Sequence, residues 1–272
     1  MESAGTSHGH GNIISEMLEE FNLQSTYGQH FFGIDLSPLS NLHLFGLDLS
    51  VNKAVVCLWL STLITFGIIY YAGHGRGLVA TGFRNMIEAI FTFIKLNVVE
   101  EALGHEGKKW LPFIGGLFFF ILINNLIGLI PGSFAPTSNI NVTAALAILV
   151  FIIFLIAGMI KQGPFKYWAH LAPGGLPKWM YVVLYPIEII TLFMKPLSLA
   201  IRLFANMLAG HIVIFSLLAL IILFKMSLLM APLPFLASVI MYAFEIFVAL
   251  IQAYIFTILS AIYIGSAMHP EH

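Results

Sequence analysis

The chain has 272 residues, 59% of them hydrophobic and 9% charged, with a formal net charge of -1. A soluble domain carries roughly a quarter charged residues, so this composition excludes one and marks a polytopic membrane protein. Near-neutral charge gives nucleic acid no footing as a partner, and a single cysteine, Cys57, excludes an internal disulfide.

Residues 1–52 stand apart, with six of the thirteen acids, four of the ten histidines and no Lys or Arg. A cleavable signal peptide has a basic start and an early apolar core. Neither is present, and the segment reads as an acidic extracytoplasmic region. Ala54 to Ala72, Trp110 to Pro131 and Val142 to Ile160 contain no charge. Each approaches the roughly 20 apolar residues that cross about 30 Å of hydrocarbon. Residues 81–101 differ, because Arg84, Glu88, Lys95, Glu100 and Glu101 interrupt their apolar pattern. They read as an interfacial helix.

Trp179 to Phe224 and Met226 to Met268 are too long for simple spans, since either as one helix would reach about 65 to 70 Å. Between Ser198 and Ala209 there is no Gly or Pro to turn the chain, so the helix is expected to run through Arg202. Pro186 and Pro196 leave the alternative of a surface helix feeding an ordinary span. Otherwise the two elements form a steeply tilted hairpin turning at Pro232 and Pro234. The fold class is therefore all-α, with about five membrane-embedded helices and one interfacial helix. Residues 53–272 read as one membrane domain, with the tilted hairpin over 179–268. No internal repeat stands out.

Basic residues orient the chain. Arg76, Arg84, Lys95, Lys108 and Lys109 lie in 73–109, and Lys161, Lys166 and Lys178 in 161–178. The opposite side offers only Lys53 and Lys225. The N-terminus is expected outside and the C-terminus in the cytoplasm.

An ionisable group at mid-bilayer costs at least about 2.5 to 3.5 kcal/mol and marks a functional site by default. The last two elements hold Glu188, Lys195, Arg202, His211 and Glu245, with the amides Asn206 and Gln252. At 100° per residue, Glu188, Lys195, Arg202 and Asn206 fall on one stripe of an unbroken helix, and Glu245, Gln252 and Tyr263 on another. His211 lies off the first stripe and could instead look across the hairpin toward Glu245, since both sit within roughly twenty residues of the turn. Plainer readings compete. Lys195 can snorkel to the interface, Glu188 can pair with Lys195, and His211 can be a hydrogen-bonded core residue. Arg202 can be bridged to Glu188 or Glu245. An unneutralised Arg202 requires an anion from a partner, because arginine holds its proton at any ordinary pH. It attracts a carboxylate without relaying protons, whereas Glu188 on one side and His211, Glu245 and Gln252 on the other can relay them.

"PLSLAIRLFANMLAGH" (196–211), "YPIEII" (185–190), "PTSNINVTAALAI" (136–148) and "IQAYIFTILSAIYI" (251–264) together resemble subunit a of the F-type ATP synthase in its bacterial form. The resemblance runs from about residue 35 onward. It implies a stator of the bacterial inner (plasma) membrane whose last two helices lie against a rotating ring of subunit c, with subunit b as peripheral stalk. The family's essential arginine falls on Arg202, which engages the ring carboxylate and blocks a direct leak between two offset half-channels. The asparagine falls on Asn206, the glutamine on Gln252, the cytoplasmic-side glutamate on Glu188 and a small polar position on Ser198. His211 and Glu245 exchange the order of acid and imidazole found in many bacterial members. Ala205 stands where Gly is frequent, and Leu208 where Tyr is.

Asn124, Asn125, Ser138 and Asn139 are read either as lining an outer half-channel or, for Asn124 and Asn125, as hydrogen-bonding between helices. The resemblance implies H⁺ as the transported ion, with Na⁺ the alternative, and no metal or cofactor. No P-loop occurs, so nucleotide chemistry belongs to other subunits. The rival functions are an independent ion or solute transporter, a haem cytochrome, for which only His211 lies deep in a span, and a scaffold.

Overall fold

A computed structural model describes residues 30–31, 34–35, 43–44, 47–48, 53–73, 82–130, 133–169, 178–223 and 232–268. Arg76, Lys225 and most of the acidic segment lie outside the described residues. Among the described residues, two antiparallel hairpins come first: β1 (His30–Phe31) with β2 (Ile34–Asp35), and β3 (His43–Leu44) with β4 (Leu47–Asp48). In the first, His30 is opposite Asp35, and in the second His43 is opposite Asp48. The sequences are HFFGID and HLFGLD, a short repeat with the pattern His-x-Phe-Gly-x-Asp that the expectation of no repeat overlooked. At two residues per strand the hairpins leave the all-α class unchanged.

Among the described residues, five helices are long and apolar enough to cross a membrane. The first, α1 (Lys53–Gly73), buries Ala54, Cys57, Ser61 and Thr65, a small-residue stripe at steps of three and four. Its other faces carry exposed Trp59, Leu63 and Phe66. Such a stripe lets helix backbones approach where lipid removes the usual hydrophobic drive.

The interfacial helix is in three parts: α2 (Phe83–Ile94), a π turn (Lys95–Val99) and α3 (Glu100–Leu103). Ile87, Ile94, Val98, Val99 and Leu103 form its buried face. The π turn keeps that face continuous by inserting an extra residue, and Gly104 ends the element at φ 56, a conformation that costs glycine little. A 3₁₀ segment (Gly104–Lys109) leads into α4 (Leu111–Leu129).

The most buried of the five is α4, which packs against α1 and the last helix. A 3₁₀ turn (Pro136–Ser138) precedes α5 (Ile140–Gln162), whose N-terminus is capped by Asn139 accepting from the Asn141 amide at 2.9 Å. After Gly163 comes the short α6 (Pro164–Ala169). Then α7 (Lys178–Leu223) runs 46 residues without a break through both Pro186 and Pro196, so the surface-helix alternative does not apply. The last helix, α8 (Pro232–Met268), has 37 residues and starts at the expected proline. At 1.5 Å per residue these helices span about 70 and 55 Å. Both exceed the hydrocarbon thickness, which requires tilt. The two pack on each other, and α5 and α4 back the pair on one side.

The end of α8 is clasped. Gln162 Nε2 donates to the Ala267 carbonyl at 2.6 Å, supplying a partner to one of the last-turn carbonyls that a helix leaves open. Gly158 lies directly against the Tyr167 ring and the Ala267 carbonyl, and Gly265 against the Ala102 carbonyl. Lys161 and Glu106 form an ion pair that ties the two sides together. Burial pushes the Tyr167 phenol above its ordinary pKa, so it acts as a neutral packing group.

Candidate functional site

The polar stripe of α7 exists as one continuous surface because the helix is unbroken. Arg202 is exposed on it, and among the described residues it has no ion-pair partner. Neither Glu188 nor Glu245 bridges to it. Around it Ser198, Ile201, Ala205 and Ala209 are also exposed. Three of those four side chains are small, so another helix can come close to Arg202.

One turn further along, Asn206 Nδ2 donates to Gln252 Oε1 at 2.7 Å, joining the stripe of α7 to that of α8. Gln252 is buried, and its own amide nitrogen has no protein partner. Glu245 is buried as well, with both carboxyl oxygens unpartnered. Its carboxyl rests on Gly210, where an added Cβ would overlap it. His211, the next residue, is half-buried with Nε2 also unpartnered. His211 and Glu245 therefore reach the same level of the hairpin, as expected, but no hydrogen bond joins them. The sequence reading missed Gly210. Its signal is a lone glycine inside a long helical pattern, which costs about 1 kcal/mol against alanine and so points to close packing.

On the other side of Arg202, Glu188 is half-buried and Ser198 exposed. Glu188 and Lys195 form no ion pair among the described residues. Lys195 instead places Nζ 5.4 Å from the centre of the Tyr263 ring. Nothing in residue spacing shows this contact, because it depends on how α7 and α8 are set against each other.

Asn124 and Asn125 are fully buried. Ser61 Oγ donates to Asn124 Oδ1 at 2.9 Å, and Asn124 Nδ2 donates to the Phe120 carbonyl at 2.7 Å. Thr137 Oγ1 donates to Asn125 Oδ1 at 2.8 Å, while Asn125 Nδ2 has no partner. Asn124 thus bonds between α1 and α4, whereas Asn125 bonds to the 3₁₀ turn ahead of α5 through its oxygen alone. Ser138 donates to the Ala135 carbonyl at 2.8 Å, and Asn139 caps α5. The Tyr242 hydroxyl donates to the Leu129 carbonyl and fixes α8 to the end of α4.

Buried polar atoms almost always have a partner in protein or water. Asn125 Nδ2, His211 Nε2, both Glu245 oxygens and Gln252 Nε2 lack a protein partner on three helices. Gln162 Oε1, near the end of α8, is unpartnered as well.

A family model described as ATP synthase A chain matches residues 55–265, which include every residue of this constellation. The chain is 41% identical to ATP synthase subunit a of Chloroherpeton thalassium over 249 residues, covering 88% of this chain and 74% of that one. It is 41% identical over 233 residues to ATP synthase subunit a of Rubrobacter xylanophilus, covering 85% and 89%. With ATP synthase subunit a of Chlorobium phaeobacteroides it shares 40% over 280 aligned positions, covering 100% and 80%.

Proposed function

This chain belongs to the ATP synthase A chain family, and on that footing we propose that it is the stator that carries ions to and from a rotating ring through two offset half-channels, with Arg202 as the barrier between them. The chain is a multi-pass membrane subunit of the ATP synthase membrane sector and assembles with the rest of that complex.

The observation that carries the reading is Arg202, a permanent cation exposed on a membrane-length helix with no ion-pair partner among the described residues. Such a charge is costly in hydrocarbon. An approaching carboxylate relieves the cost and is itself held ionised by the guanidinium. The anion is proposed to be the acid of a subunit c ring, arriving over the small face made by Ser198, Ala205 and Ala209. Since arginine does not give up its proton, an ion cannot pass it directly. It must board the ring from one half-path and leave from the other.

The outer half-path is assigned to His211, Glu245, Gln252 and Asn206, with Asn125 supplying an unpartnered amide toward it, and the inner one to Glu188 and Ser198. Asn124, Ser138 and Asn139 are assigned to holding its outer wall together. The carried ion is H⁺, with Na⁺ the alternative, since the acid that binds it belongs to the ring. The proposed setting is the bacterial inner membrane, with residues 1–52 outside, the C-terminus in the cytoplasm and residues 53–272 as one membrane domain. Subunit b is proposed to dock along α2 and α3.

The test is Arg202→Ala in the whole complex in membrane vesicles. Loss of coupled ATP synthesis with normal assembly is expected. An assembled variant that synthesises ATP at the normal rate would refute the assignment.

A further inference from the structure

Two cations project from the same side of α7. Lys195 and Arg202 are seven residues apart, which puts them about 10 Å apart along the axis and within about 20° of each other around it. No other Lys or Arg lies between Trp179 and Ile221, and α8 has none. An anion drawn to Arg202 would therefore meet a second, competing charge two turns away. Yet the two are held differently. Arg202 is exposed, whereas Lys195 is half-buried with its ammonium over the Tyr263 ring at 5.4 Å.

That ring is braced. Phe154 of α5, itself buried, contacts Tyr263 with ring centres 6.3 Å apart. Phe151 stacks edge-on with Phe154 at 5.2 Å and lies 5.4 Å from Phe193 of α7. The aromatic group thus spans α5, α7 and α8 and presents one face of Tyr263 to Lys195. A cation is attracted to that face by the ring quadrupole, more strongly where water is scarce. Tyr263 also lies within electrostatic range of Arg202, and Glu188 within range of Lys195.

We propose that Tyr263 is a positioning residue that draws the Lys195 ammonium away from the exposed face of α7, leaving Arg202 as the single cation that the partner's carboxylate meets. The inference rests on the stator reading given above. Released, Lys195 would swing onto the same face and retain the carboxylate two turns early, which slows turnover without disturbing assembly.

The experiment uses the complete ATP synthase in inverted membrane vesicles, reading ATP-driven ion pumping per assembled complex. Tyr263→Leu is expected to slow pumping roughly three- to tenfold, and Tyr263→Phe, which keeps the ring face, to stay within about twofold of the parent. Adding Lys195→Met to Tyr263→Leu should restore pumping to the level of Lys195→Met alone, since the stray charge is then gone. Normal pumping by Tyr263→Leu would overturn the proposal. So would a double variant as slow as Tyr263→Leu, because that is the result of lost packing. If the leucine variant fails to assemble, phenylalanine and 3,4,5-trifluorophenylalanine placed at 263 decide instead. They match in shape and differ in ring quadrupole, so slower pumping with the fluorinated ring supports the proposal and equal rates refute it. Arg202→Ala, measured alongside, separates the two ideas: normal pumping there removes the stator reading itself, whereas a Tyr263 result alone removes only this inference.

Discussion

Helices α4 and α7 treat polar groups in opposite ways. In α4, 67% of the residues in the most apolar stretch are buried, against 6% in α7. The asparagines of α4 point inward and are bonded to Ser61 and Thr137, while Arg202 of α7 points outward. A polar side chain in a membrane helix must be matched somewhere. Inside α4 the match is made within the chain for all but the Asn125 amide nitrogen and serves to hold segments together. On α7 it is left for another molecule, which is why a weakly covered helix with a permanent charge reads as a working surface.

Substitutions on the two helices should separate accordingly, and the largest effect is expected on the open one. Arg202→Ala should reduce coupled ATP synthesis by about a thousandfold, the scale of losing one member of a desolvated charge pair, with complex abundance on a native gel unchanged. A smaller effect is expected at the relay. His211→Ala and Glu245→Ala should each slow synthesis by roughly a hundredfold, and the exchange His211→Glu with Glu245→His should recover most of the rate. Full tolerance of alanine at both positions would exclude a relay there.

Changes on the closed side should alter stability and leave the rate per complex alone. Gly158→Ala drives a methyl into the Tyr167 ring and the Ala267 carbonyl, and should destabilise by about 1 to 3 kcal/mol, read as earlier thermal aggregation of the solubilised complex. Asn124→Ala removes the partner of Ser61 and should cost about 0.6 to 2 kcal/mol. If Asn124→Ala instead slowed synthesis per assembled complex, the contrast between the two helices would fail.

Much of this is legible in the sequence alone. The uncharged runs predicted α1, α4 and α5 to within two residues at every end, and the absence of Gly and Pro between Ser198 and Ala209 predicted continuity of α7 through Arg202. The two polar stripes, with Asn206 on one and Gln252 on the other, followed from steps of four and seven on separate helices, whereas the bond between them came from the packing of α7 on α8. Less visible were the π turn at Lys95–Val99, the hairpin repeat and the seat of Glu245 on Gly210. Each depends on backbone pairing or on contact between distant segments, and residue spacing within one helix contains neither.

By itself the sequence determined the number of membrane helices, their lengths and the face of each helix on which its polar residues lie, because these follow from local hydropathy and from 100° per residue. Only the tertiary structure decided which polar groups are matched inside the chain and which are left exposed. That choice depends on how each helix is rotated against its neighbours, and side chains far apart in sequence set the rotation through packing. Ser61 meets Asn124 and Tyr263 meets Lys195, while Arg202 meets no partner among the described residues of its own chain.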